Sequence, residues 1–326
     1  MPIPAPDSPV AGSAGLACID LSCGDLHFMA SVLRKACLDS GFFYVVNHGV
    51  EDIEQVFAES KRFFTLSMEE KMKVVRNKKN RGYTPFQDEM LDPSKQTKGD
   101  CKEGFYIGPE MKEEESEVWG PKPFHGPNQW PSPDLLPGWR ETMEKYHKQV
   151  LLTGRKIIRL LALALNLDIT YFERPGVMDS PMAYIRLLHY SGEASHPEKG
   201  IYGAGAHSDY GMITLLATDG VAGLQICKNK DASPQVWEDV QPVKGSFIVN
   251  LGDMLERWSN GLFRSTLHRV VLTGEERYSI AFFLDPNFDC LVECLPACCS
   301  YSNPPRYPPI TSGHYLIERY KLSYKN

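Results

Sequence analysis

The spacing of apolar residues changes period once along this chain, near residue 180. Upstream, the dominant repeat is helical. Leu26, Met29, Val32, Leu33 and Cys37 share a stripe within 25–40, and Met143, Tyr146, Val150, Ile157, Leu161 and Leu165 share one within 138–167. The spacing predicts a helix over each of these segments and another over 53–64. Ser67-Met68-Glu69-Glu70 has the form of a capping box for a shorter one. Two apolar runs, 16–21 and Phe42-Phe43-Tyr44-Val45-Val46, flank the first helix, and Asn47-His48-Gly49 stops the second run, so the chain opens as β-α-β. Residues 77–136 are rich in Gly, Pro, Lys and Glu and show little period, so they read as long loops over the core.

From Ala183 the apolar runs become short and β-rich: 183–190, 212–218, 223–227, 235–240, 246–250, 264–271, 277–284 and 290–294. Strands at this spacing, separated by Gly, Asp, Asn and Pro turns, predict a double-sheet jelly roll. The expected class is α+β: a double-stranded β-helix (jelly-roll) core, an N-terminal helical and βαβ region, and a long backing helix. The expected division is a disordered leader at 1–15, an N-terminal helical and loop region at 16–180 packing on the core, and the jelly-roll core with a C-terminal helix at 181–326. The last two form one structural unit.

Composition narrows the functional classes. With 42% hydrophobic residues in 326, the chain is suited to a globular core, and no apolar run approaches the roughly 18 residues that a membrane helix needs. The start, rich in Pro, Ala, Ser and Gly, lacks the basic and apolar regions of a secretory signal, so a cytoplasmic location is expected. Nine cysteines, irregularly spaced outside Cys290, Cys294, Cys298 and Cys299, read as reduced structural or surface thiols. A formal charge of -6 with no basic stripe argues against nucleic acid. The basic run from Lys71 to Arg81 and the acidic run from Glu110 to Glu117 read as solvated segments. The expected partner is a small-molecule substrate, with no nucleic acid and no membrane, met by a monomer.

Candidate chemistry lies in the β-rich half. His207-Ser208-Asp209 follows the glycine-rich stretch 203–206, and His268 lies on a later strand. Residues i and i+2 of an extended segment point to one side, so His207 and Asp209 can both reach one ion, with His268 as the third ligand. Two imidazoles and a carboxylate make the facial set that leaves positions open on ferrous iron, and zinc uses the same donors. No H-E-x-x-H helix accompanies them.

Strand parity adds an anion site. Arg277, Ser279, Ala281, Phe283 and Asp285 share one face of their strand, and Tyr184, Arg186, Leu188 and Tyr190 share one face of theirs. A buried Arg277 requires an anion, so Arg277 with Ser279 predicts a ligand carboxylate, with Tyr190 close to the metal segment. On the same inward face, Phe283, Asp285 and Arg186 are candidates for a flat or carbonyl-bearing substrate. Tyr83, Glu103 and Tyr106 in the long loops are candidates for a lid.

These residues together resemble the plant-type 2-oxoglutarate and Fe(II)-dependent dioxygenases, the superfamily that includes isopenicillin N synthase. The resemblance runs from Cys18-Ile19-Asp20-Leu21 and 41–49 through Asn250-Leu251-Gly252-Asp253 and Ser265-Thr266-Leu267-His268 to Arg277-Tyr278-Ser279. Leu188-His189-Tyr190-Ser191 departs from the family's usual Asn-Tyr-Tyr-Pro and is similar to the branch with thymine hydroxylase, as are Asp100-Cys101-Lys102-Glu103 and Asn128-Gln129-Trp130-Pro131. Members described as hyoscyamine hydroxylase-like are also similar.

The resemblance implies Fe(II) on His207, Asp209 and His268, and 2-oxoglutarate on Arg277, Ser279 and Tyr190. It implies O2 as oxidant, ascorbate in support, and hydroxylation or other oxidation of a C–H bond of a small metabolite, with release of succinate and CO2. Retention of Asp209, which the family's halogenases replace by a small residue, argues against halogenation. Two alternatives stay open: an isopenicillin N synthase-type oxidase without 2-oxoglutarate, and a non-catalytic binding protein or sensor.

Overall fold

The computed structural model describes residues 14–111 and 123–323. The expected leader lies outside the described residues up to position 13, as does most of the acidic run at 110–117. The opening β-α-β unit forms: β1 (Ala17–Asp20) and β2 (Phe42–Val46) pair in parallel around α1 (Leu26–Asp39). The Asp25 carboxylate caps α1 by accepting the Phe28 N–H at 2.9 Å. After α2 (Ile53–Phe64), the Ser67 hydroxyl caps α3 (Met68–Met72) by accepting the Glu70 N–H at 3.3 Å.

Next come β3 (Gly82–Thr84), β4 (Glu103–Ile107), α4 (Trp139–Ala164), β5 (Met182–Tyr190), β6 (Ala204–His207), β7 (Ile213–Thr218), β8 (Leu224–Cys227), β9 (Glu238–Asp239) and β10 (Phe247–Leu251). α5 (Asp253–Trp258), β11 (Leu267–Val270), β12 (Arg277–Asp285), β13 (Leu291–Val292), β14 (Ile310–Thr311) and α6 (Ser312–Ser323) complete the chain.

The core is a jelly roll. Its major sheet runs β1-β2-β10-β7-β12-β5-β4-β3 and its minor sheet β6-β11-β8-β9. One of the expected strands is placed differently, and one strand was not expected. Residues 290–294 contribute only β13, which pairs with β14 outside the roll, and the missing strand is β6, the segment Ala-Gly-Ala-His. That segment has no β-branched or large apolar side chain to mark it, and its pairing to β11 supplies the order. The span 77–136 is not wholly loop either: β3 and β4 extend the major sheet beside β5, with Tyr106 opposite Arg186 and Glu103 opposite His189.

The outward face of β5 and β12 packs under α4. Met143, Tyr146, Val150, Ile157 and Leu161 are buried there together with Ile185, Leu187, Ile280 and Leu284. A Cβ at Gly154 would overlap the Leu284 side chain, so the closeness of helix and sheet depends on that glycine. The opposite faces of the same strands look into the roll.

The basic run is not uniformly solvated. Lys71 is buried and donates to Glu103 Oε2 at 2.8 Å, and Arg81 is fully buried with its guanidinium over the Tyr184 ring at 4.9 Å. Their partners come from distant β4 and β5, which local charge patterning does not reveal. No helix among the described residues is long and apolar enough to cross a membrane.

Candidate active site

β6 and β11 are antiparallel neighbours, and their register sets His207 directly opposite His268. Asp209 follows two residues after His207. Its backbone carbonyl accepts the Asp253 N–H at 2.8 Å at the start of α5. His207 Nε2 and His268 Nε2 lie 3.8 and 3.6 Å from Asp209 Oδ1, and one donor atom from each residue falls within 4.8 Å of the others. Among the described residues this is the one such cluster of His, Cys, Asp or Glu.

The hydrogen bonds around the cluster suit a metal. His207 Nδ1 donates to Gly205 O at 2.8 Å and His268 Nδ1 to Thr266 O at 3.1 Å, which leaves each Nε2 lone pair facing the centre. Asp209 Oδ2 is occupied by Thr214 Oγ1 at 2.5 Å and Asn250 Nδ2 at 2.7 Å, which leaves Oδ1 for an ion. Burial and the neighbouring His268 pull the His207 pKa down to about 3, against the pull of Asp209. Burial opposes charge on His268 too, but the Asp209 carboxylate outweighs it and raises its pKa; in return, His268 holds Asp209 well below the usual range despite burial. The surroundings thus favour a positive charge beside Asp209, which is where a cation would sit.

A cavity of about 70 Å³ adjoins these three side chains and is walled by β5 and β12. Arg277, Ser279, Ala281 and Phe283 all line it, as the parity of β12 requires, and Arg186, Leu188 and Tyr190 line it from β5. Arg277 and Ser279 are each 1% exposed. The Arg277 guanidinium rests 5.0 Å from the Tyr190 ring and its Nε donates to Val221 O at 3.2 Å, but Nη1 has no partner, nor has Ser279 Oγ. No carboxylate among the described residues pairs with Arg277. A buried cation beside an idle hydroxyl fits the far carboxylate of a dicarboxylic acid.

A second cavity of about 70 Å³ lies on the other side of His207 and Asp209. Tyr106, Phe124, Tyr184, Tyr210, Phe283 and Tyr320 are the aromatic residues of its wall, and Glu89, Arg186 and Asp285 join Asp209 among its acidic and basic groups. Arg186 is not free for an anionic ligand. Glu89 takes it in a two-point pair at 2.8 and 3.3 Å, and the Tyr106 ring lies 4.6 Å beneath it. Asp285 Oδ1 accepts the Met212 N–H at 2.6 Å; burial, with Asp209 nearby, pushes its pKa up to about 7 despite that bond.

Of the three lid candidates, Tyr106 faces this cavity and the other two do not. Tyr83 and Glu103 project from the opposite face of the sheet, where Tyr83 Oη donates to Glu103 Oε2 at 2.5 Å. Lys71 Nζ and His189 Nδ1 meet the same carboxylate at 2.8 Å each. Neither residue borders either cavity at the cluster. The reason is the period of β4: positions 103 and 105 point away from the roll and 106 into it.

Sequence reasoning missed Thr214 and Glu89. Asn250, Asp100 and Lys102 stood within motifs named above but without a role. Thr214 could have been found from strand parity in β7. Glu89 carried no local signal, because its partner Arg186 lies on β5.

Comparison with known proteins agrees with this geometry. Residues 16–133 match the family described as non-haem dioxygenase in morphine synthesis N-terminal, and residues 183–286 match the 2OG-Fe(II) oxygenase superfamily. Azadirone synthase LFS of Melia azedarach is 48% identical over 312 residues, covering 95% of this chain and 93% of that protein. Kihadalactone A synthase LFS of Citrus sinensis is 47% identical over 309 residues, covering 94% and 91%. A full-length Neurospora crassa protein, crystallised in complex with alpha-KG, superposes with a TM-score of 0.81 at 32% identity, covering 93% of this chain and 95% of that one. With relatives this similar spanning nearly its whole length, the chain belongs to the 2OG-Fe(II) oxygenase superfamily and is a 2-oxoglutarate-dependent non-haem iron dioxygenase.

Proposed function

We propose that His207, Asp209 and His268 hold the Fe(II), that Arg277, Ser279 and Tyr190 hold the far carboxylate of 2-oxoglutarate, and that an uncharged small molecule is oxidised in the aromatic cavity beyond. The observation that carries this reading is the pair of buried donors without partners, Arg277 Nη1 and Ser279 Oγ, in the cavity that also touches the three-residue cluster. Bound there, Fe(II), 2-oxoglutarate and O2 supply the oxidising chemistry, which releases succinate and CO2 and oxidises a substrate C–H bond. The protein's part is placement. Thr214 and Asn250 hold Asp209 in one rotamer, Gly205 and Thr266 carbonyls fix the imidazole tautomers, and the aromatic walls exclude water.

Substrate charge follows from Arg186. Because Glu89 already neutralises it, an anionic substrate gains little there and a cationic one meets a guanidinium. The best fit is an uncharged molecule that stacks on Phe283 and presents a carbonyl to Arg186. Nine free thiols suit a reducing, cytoplasmic setting, and one chain supplies every residue of the site, so the monomer is taken as the acting unit.

The names of the two plant relatives direct the first assays to precursors of azadirone and kihadalactone A. The test is aerobic turnover with Fe(II) and ascorbate, scoring succinate and substrate mass change together. His268→Ala and Asp209→Ala are expected to abolish both; parent-like succinate formation in either overturns the metal assignment. Product without succinate would support the isopenicillin N synthase-type alternative instead.

A further inference from the structure

A chain of four buried charges runs from the substrate cavity to the back of His207. Arg186 is paired to Glu89; Lys102 Nζ reaches the same carboxylate at 2.7 Å and also contacts Asp100 Oδ2. Asp100, fully buried, accepts the Gly205 N–H at 2.9 Å and Gln96 Nε2 at 2.8 Å on Oδ1. Gly205 is also the residue whose carbonyl accepts His207 Nδ1 at 2.8 Å. Neither iron nor 2-oxoglutarate requires these charges. Burying so many is costly, and a hydrophobic filling of the same volume would often be as stable.

The position of β6 explains the arrangement. It is the edge strand of the minor sheet, with β11 as its one neighbour, and its residues before His207 are Ala, Gly and Ala. Such a strand has few side-chain contacts to fix its height or register. At Gly205 it presses so closely on the segment carrying Asp92 and Gln96 that a Cβ would overlap Gln96 Oε1. Asp100 therefore gives Gly205 the hydrogen bond that a further strand would otherwise give. On the metal reading above, we propose that Asp100 is a positioning residue: through Gly205 it holds the imidazole of His207 in the ligating orientation, with Lys102 as its counter-charge and the Glu89–Arg186 pair balancing the rest of the chain.

The test compares two charge-neutral pairs in the full chain, Asp100→Asn with Lys102→Met and Asp100→Leu with Lys102→Met. Both remove the ion pair, and Glu89 keeps Arg186, so both avoid an isolated buried charge; only the first retains an acceptor for the Gly205 N–H. The readout is Mn(II) affinity by calorimetry in the presence of 2-oxoglutarate, with melting temperature measured alongside. The Asn pair is expected to bind Mn(II) within about threefold of the parent and the Leu pair about 10–100-fold more weakly, the usual cost of losing an outer partner of a metal ligand. Equal affinity in the two pairs overturns the proposal, whatever their stabilities. His268→Ala is the control: if it binds Mn(II) like the parent, the metal assignment falls and this inference falls with it.

Discussion

Arg277 was legible before any coordinate because parity alone ties it to Ser279, Phe283 and Asp285, and an inward arginine needs an anion. Its value can be measured. A charge-assisted hydrogen bond lost from a buried site costs about 1.5–3 kcal/mol, so Arg277→Ala should raise the KM for 2-oxoglutarate by roughly ten- to a hundredfold with a smaller change for the substrate. Equal rises in both would move Arg277 to the substrate. Asp285 was legible in position but not in state. An aspartate in the unfolded chain ionises at about pH 4, whereas the folded carboxyl keeps its proton to about 7, chiefly through burial. Between those values the unfolded state has released a proton that the fold retains, so stability is greatest below the window and falls as pH rises through it. The metal-free Asp285→Asn variant should therefore melt progressively higher than the parent from pH 4.5 to pH 8. A constant difference across that range would reject the assignment.

At the scale of elements, β12, β5 and α4 were readable because each carries its own period, and β6 was not because it carries none. β3 and β4 were hidden for another reason. Their alternation is short, and they are held by Glu103, whose partners Lys71, Tyr83 and His189 come from three separate segments. The lid expectation for Tyr83 and Glu103 failed with that reading, since they pin this sheet edge from outside the roll. Removing one member of a buried ionic cluster leaves the others uncompensated, at a cost of about 3–5 kcal/mol. Glu103→Ala is expected to lower the melting temperature by several degrees while the dissociation constant for 2-oxoglutarate stays within about twofold of the parent; a large loss of 2-oxoglutarate affinity with unchanged melting would return Glu103 to the site.

At the scale of the whole molecule, α6 closes the cavity proposed for the substrate. α6 sets Leu316 and Tyr320 against the aromatic wall, with the Tyr320 ring 5.0 Å from Phe124 and 5.8 Å from Tyr210. Arg319 rests over Tyr210 at 4.7 Å and reaches Asp253 Oδ2 at 3.3 Å, and the Asp253 N–H is the group that holds the Asp209 carbonyl. The helix thus touches both the cavity and the backbone of the proposed metal segment. The carboxylate socket at Arg277, by contrast, is walled by β5 and β12 and needs nothing from α6. Tyr320→Ala should therefore separate the two ligands: the substrate KM rises about tenfold, in line with loss of roughly 1.4 kcal/mol of aromatic contact, and the KM for 2-oxoglutarate is little changed. Water admitted to the cavity should also break the balance of the reaction, so that succinate formed exceeds substrate oxidised. If succinate and product stay equal in Tyr320→Ala, the helix packs on the roll without sealing it.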